Sequence, residues 1–236
     1  MELGRLQAPV PLMEPGAILP LPATADPAAI FSAVAGDEPL VLAVRTLLDR
    51  IAASRVVVAV AEPLVALVHD VLATRGWSAV AVVAAPVPGD RYRALASGLQ
   101  YLVQERLSSA PVLVHDYRHP LVPAEVTDRV IAGLAAGHPI VVPVIPVTDS
   151  VKSVDERGTV VETIDRTTLR AVQYPRGFTA SALAELLAAG PVDEFDTAVA
   201  AGLPIAMVDG HADAVRFTLP ADAELLDAII TSRRSN

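Results

Sequence analysis

Short apolar runs alternate with amphipathic stretches along most of this chain. Residues 55–61 (Arg-Val-Val-Val-Ala-Val-Ala) read as a strand buried on both faces. Shorter runs at 17–21, 79–84, 112–114 and 140–144 read the same way. Between them, 39–51 places Leu40, Val44, Leu47, Leu48 and Ile51 on one side of a helix. Helices are also predicted over 63–75, 124–136, 179–189 and 220–230, and one opens at Asp90. Strands alternating with helices at this spacing mean βαβ units and a largely parallel sheet. Residues 151–155 and 159–164 break the rhythm, alternating around Glu156-Arg157-Gly158 as a β-hairpin.

With 53% hydrophobic and 19% charged residues in 236, the chain builds a substantial core, and an alternating α/β chain of this length is usually one domain. The expected division is an N-terminal extension over 1–15, a domain over 16–231 with an arm at about 148–170, and a polar tail over 232–236. Pro9, Pro11, Glu14 and Pro15 interrupt the extension, unlike a signal peptide. The charge-free run 130–148 approaches membrane-spanning length, but Gly133, Gly137, Pro139, Pro143 and Pro146 make it a helix end, a turn and a strand. A net charge of −9 argues against a general nucleic-acid partner. Without cysteine there is no disulfide, thiolate metal site or cysteine nucleophile. A cytoplasmic protein with no membrane or nucleic-acid partner is expected.

Candidate chemistry gathers at Val112-Leu-Val-His-Asp-Tyr-Arg-His-Pro120, where an apolar strand turns polar. Ligands of open α/β sheets sit at the carboxyl ends of strands, which is where Asp116 falls. The other reading is that His115 and Asp116 cap a loop, and spacing leaves both open. Metal-dependent hydrolysis by His115, Asp116 and His119 is the weakest reading, because three such side chains in five loop positions cannot easily turn to one ion.

His115-Asp116-x-x-x-Pro120-Leu-Val resembles the H-D-A-A-R-P-x-V stretch of the 2-C-methyl-D-erythritol 4-phosphate cytidylyltransferases of the non-mevalonate isoprenoid pathway. The resemblance runs from Gly16 nearly to the end. It implies a Rossmann-like nucleotidyltransferase domain with a mostly parallel sheet and a protruding hairpin arm that pairs two chains as a homodimer. It also implies attack of methylerythritol phosphate on the α-phosphorus of CTP, assisted by Mg2+. Asp116 matches the aspartate beside metal and acceptor. The arginine before the proline falls on His119, with Arg118 one place earlier as a substitute cation. Pro146-Val-Thr-Asp-Ser-Val-Lys152 resembles P-x-x-D-T-I-K, which assigns Ser150, Lys152 (the only lysine) and Arg166 to the acceptor. Arg91 and Gly98 fit the R-x-x-S-V-x-x-G-L pattern that seats the base, with Ala94 at the serine. In 210–222 the catalytic-region lysine becomes Arg216.

The departure lies after the first strand. The family pattern there is A-A-G-x-G-x-R followed by P-K, a cradle for the triphosphate. This chain has no glycine between Gly16 and Gly36 and no arginine or lysine between Arg5 and Arg45, and Asp26 adds a negative charge. The expectation is a divergent, weakly active or inactive cytidylyltransferase-like protein. The alternative is an active enzyme with a rebuilt nucleotide site drawing on Arg91, Arg93 or Arg118.

Overall fold

The computed structural model describes residues 14–107, 110–190 and 193–234. Most of the extension read at 1–15, and the last two residues of the expected tail, lie outside these.

The apolar runs form the centre of an eight-stranded sheet. Its first strands are β1 (Gly16–Leu21), β2 (Val56–Ala61), β3 (Ala81–Ala85) and β4 (Pro111–Val114). They are followed by β5 (Ile140–Pro146), the arm strands β6 (Val151–Val154) and β7 (Val160–Ile164), then β8 (Arg170–Val172), β9 (Arg176–Thr179) and β10 (Ala206–Asp209). The order is β10-β5-β9-β4-β1-β2-β3, with β8 on β5 and the β6–β7 hairpin forming its own sheet. β1 is parallel to β2 and β4, β2 to β3, and β5 to β10.

The helices are α1 (Pro27–Phe31), α2 (Pro39–Leu48), α3 (Val65–Thr74), α4 (Arg91–Leu102), α5 (Ala124–Ala135), α6 (Ala180–Ala188), α7 (Glu194–Ala200) and α8 (Ala223–Arg234). Side chains alternate across each strand, so the two faces of β1 serve two cores. Ala17, Leu19 and Leu21 pack with Leu40, Val44 and Leu47 of α2, Leu72 of α3 and Val130 of α5. Ile18 packs on the other side with Leu95 and Leu99 of α4, in the core that also holds Leu183 of α6. The result is helices on both faces of a mostly parallel sheet.

The sheet departs from the expected reading at β9, which runs antiparallel between β4 and β5. Its sequence, Arg-Gly-Phe-Thr, is too short and polar to announce a strand. Gly177 is what admits it, because a Cβ there would lie 2.6 Å from Val130 Cγ1 and 2.7 Å from Leu134 Cδ1 of α5. Of the segment read as a polar tail, Ser232, Arg233 and Arg234 continue α8. Arg234 donates to Ala35 O at 2.7 Å and lies 3.2 Å from Asp37 Oδ2. The buried Asp37 carboxylate also takes Arg45 at 3.0 Å and Arg75. Three arginines from three helical segments thus converge on one carboxylate and pin the chain end to the turn before α2.

No helix among the described residues is long and apolar enough to cross a membrane.

Candidate functional site

After β1 the chain builds β2 and β3 to one side, then returns to place β4 on the other. The carboxyl ends of β1 and β4 therefore flank the point where strand order reverses, the place where open α/β sheets bind ligands. A cavity of about 270 Å³ opens there, lined by Pro20, Pro22, Thr24, Ala25, Arg91, Asp116, Tyr117 and Arg118. A neighbouring cavity of about 500 Å³ shares Pro22, Thr24 and Arg91 and adds Asp90, Tyr92, Arg93 and Gly190.

His115 extends the β4 ladder, its amide donating to Ile18 O at 2.9 Å. Its side chain turns to α2, with Nε2 3.2 Å from Thr46 Oγ1. The Thr46 hydroxyl donates to Ala43 O, so its oxygen accepts and His115 carries its proton on Nε2. The ring is wholly buried, and burial lowers its pKa to about 4. His119 is buried against the Tyr174 ring at 4.7 Å, and burial lowers its pKa to about 3. The residue aligned with the family arginine is therefore a neutral packing group.

Asp116 is 2% exposed and faces the cavity. Its Oδ1 accepts from the Arg118 amide and from Arg118 Nε, both at 2.9 Å, while Oδ2 accepts from Arg118 Nη2. Burial opposes the charged form, but the Arg118 hydrogen bonds and charge outweigh it and hold the carboxyl well below its usual range. Arg91, the first residue of α4, lies 3.9 Å from Oδ2. It donates to Glu194 Oε1 at 2.9 Å, Glu194 Oε2 at 3.2 Å and the Tyr174 hydroxyl at 3.2 Å. Burial disfavours its charge, yet the fields of Tyr174 and Glu194 raise its pKa further.

Behind this lies a cluster that sequence reasoning missed. Arg176 lies 4.5 Å from the Tyr174 ring centre and donates to Asp193 at 2.9 Å and Glu194 at 3.2 Å. Asp193 in turn caps α7 by accepting from Phe195 N at 2.8 Å. The available signal was Tyr and Arg replacing threonine and glutamine at 174 and 176, with an Asp-Glu pair 17 residues further on.

Arg216 is brought to the same loop. Phe217 N donates to Arg118 O at 2.8 Å, and the charge of the exposed Arg216 is felt at Tyr117 and His119. Gln173 sets the path of this segment, bonding His211 through both its amide groups at 2.8 and 2.9 Å. Asp116, Arg118, Arg91 and Arg216 are thus gathered. Ser150, Lys152 and Arg166 are not; they are exposed on the arm and its base, Lys152 donating to Thr163 at 2.7 Å and Arg166 to Thr148 O. Gly98 does not line the crevice. It is buried on β1, where a Cβ would lie 2.6 Å from Ile18 Cγ2, so it sets the closeness of α4 rather than touching a base.

The loop after β1 spends its own donors. Ala23 N donates to Gly89 O at 2.7 Å and Ala25 N to Pro22 O at 2.9 Å. Asp26 caps α1 by accepting from Ala28 N at 2.9 Å. Among the described residues, no three His, Asp or Glu side chains group as metal ligands. Asp116 alone does not fit a divalent ion in this arrangement, because both its oxygens are taken by Arg118.

The family model described as 2-C-methyl-D-erythritol 4-phosphate cytidylyltransferase matches residues 23–232. A protein of that name from Frankia casuarinae is 42% identical over 122 residues, covering 50% of this chain but only 46% of the Frankia protein. The one from Saccharopolyspora erythraea is 34% identical over 203 residues, covering 84% of this chain and 88% of that protein. The crystal structure of the cytidylyltransferase from Thermus thermophilus superposes with a TM-score of 0.69 at 29% identity, over 93% of this chain and 100% of that one. With the match extending from the loop after β1 into the last helix, this chain belongs to the 2-C-methyl-D-erythritol 4-phosphate cytidylyltransferase family.

Proposed function

We propose that this chain is a divergent member of the family, a cytoplasmic homodimer that binds phosphorylated ligands in the β1–β4 crevice and is weakly active or inactive in cytidylyl transfer. The observation that carries this reading is the loop after β1, whose amides at 23, 25 and 28 are satisfied within the protein while Asp26 adds a carboxylate. A triphosphate needs free amides and fixed cations there. Losing one electrostatic donor commonly costs ~10²–10³ in rate, and here several are missing at once.

The acceptor side supports retained binding of methylerythritol phosphate. Ser150, Lys152 and Arg166 stand exposed on the arm, where a second chain's crevice would meet them. A second reading, an active enzyme with a rebuilt site using CTP and Mg2+, draws on Arg91, Arg93 and Arg118, which line adjoining cavities.

Pyrophosphate release from CTP, methylerythritol phosphate and Mg2+ separates the two. Slow or absent turnover, together with calorimetric binding of either ligand, is the expected result. Turnover in the ordinary range of enzymes, above about 1 s⁻¹, overturns it.

A further inference from the structure

We infer that Arg118 is the resident cation of Asp116, so that the crevice takes a phosphate group on guanidinium donors without a divalent metal. This rests on the ligand-binding reading above and deepens it.

The Arg118 side chain meets Asp116 edge to edge, Nε on one carboxylate oxygen and Nη2 on the other. The backbone builds the geometry as well: the Arg118 amide donates to Oδ1 at 2.9 Å and fixes the carboxylate's rotation. A divalent ion entering here would have to displace a bidentate guanidinium from a buried carboxylate. It would then stand beside a second fixed cation, Arg91, 3.9 Å from Oδ2.

The three carboxylates that meet Arg91, Arg93 and Arg176 offer such an ion no alternative. Glu194 is shared by Arg91 and Arg176, Asp193 is held by Arg176 and the α7 amides, and Asp90 is held by Arg93 at 2.5 Å. Small hard cations bind through carboxylate oxygens and substrate phosphates, and each of these carboxylates is already engaged.

The outer edge of Arg118 remains available. Its side chain is 36% exposed, it lines the cavity of about 270 Å³, and Nη1 has no hydrogen-bond partner among the described residues. Arg216, exposed beside the same loop, adds charge at the rim. A planar guanidinium held on one edge presents its other edge to a phosphate oxygen in fixed orientation. Held in this way, it binds the anion through charge-assisted hydrogen bonds.

The test is titration calorimetry of the whole protein with CTP and, separately, with methylerythritol phosphate, each in EDTA and in magnesium chloride at matched ionic strength. Equal affinity in the two media is expected. Binding that appears only with magnesium overturns the inference and leaves the ligand-binding reading standing; no binding of either ligand in either medium overturns both. Paramagnetic resonance of added Mn2+, with no nucleotide present, reads the carboxylate directly. The native protein is expected to take up none, and Arg118→Ala to gain a site that Asp116→Asn in the same background removes. Mn2+ bound by the native protein and lost in Asp116→Asn overturns the inference. Arg118→Gln, which removes the charge but keeps a hydrogen-bond donor beside Asp116, serves where Arg118→Ala does not fold, with the same gain of a Mn2+ site expected.

Discussion

Arg91 grips both carboxylate oxygens of Glu194 across 103 residues of sequence, at 2.9 and 3.2 Å. The pair joins the first turn of α4 to the first residue of α7, and Glu194 is 1% exposed. Glu194→Gln leaves Arg91 and Arg176 facing a neutral amide in a buried wall. Removing one partner of a buried pair costs about 3–5 kcal/mol, which urea unfolding followed by circular dichroism would read. A loss below about 1 kcal/mol, the range of exposed pairs, would mean that water shares the site.

Gly98 is the close contact between α4 and β1. Gly98→Ala places a methyl 2.6 Å from Ile18 Cγ2, in a core where Ile18 is wholly buried. Overpacking of this kind costs about 1–3 kcal/mol. In an Ile18→Ala background the same substitution has room, so the double-mutant cycle should show strong coupling. Additive costs would show that the helix, not Ile18, yields.

His115 and His119 make stability fall in mild acid. Both pKa values are lowered from 6.5 by burial, to about 4 and about 3. Between those values and 6.5 the unfolded chain binds more protons than the folded one, so stability rises with pH through that window. Asp116, depressed chiefly by Arg118 against the pull of burial, acts in the same direction below its ordinary 3.8. The urea midpoint should therefore drop from pH 7 to pH 5. His119→Phe, which keeps a ring against Tyr174, should shrink that drop; an unchanged pH profile would contradict the buried neutral ring.

The arm carries exposed valines on a hairpin that packs in its own two-stranded sheet. Val154, Val160 and Val161 are 58, 60 and 68% exposed. An isolated two-stranded hairpin is marginal in water, which favours a covering second chain. Light scattering should give the mass of two chains, and Val161→Glu should reduce it to one. A native protein that runs as one chain at high concentration would overturn the homodimer.

The fold was legible where periodicity is strong. Buried β-branched runs at β2 and β4 and the helical spacing of α2 need no tertiary information, because burial on both faces or on one stripe demands those patterns. The placement of Asp116 at a strand end was legible for the same reason. β9 was not, since a short strand containing Arg176 and Gly177 becomes one only when β4 and β5 leave a gap that α5 can cover closely.

The sequence alone determined the order of elements, a stretch after β1 with no glycine before Gly36 and no arginine or lysine before Arg45, and the residue types around Asp116. Only the tertiary structure decided how those residues are used. His115 and His119 became neutral core groups because the sheet and Tyr174 bury them. Arg118 became the partner of Asp116 because the turn aims its backbone amide and its guanidinium at the same carboxylate. Glu194 became a buried counter-ion because α7 packs its first turn against α4's first residue. Pairing of charges depends on which distant segments the core brings into contact, and that is a property of packing rather than of local spacing.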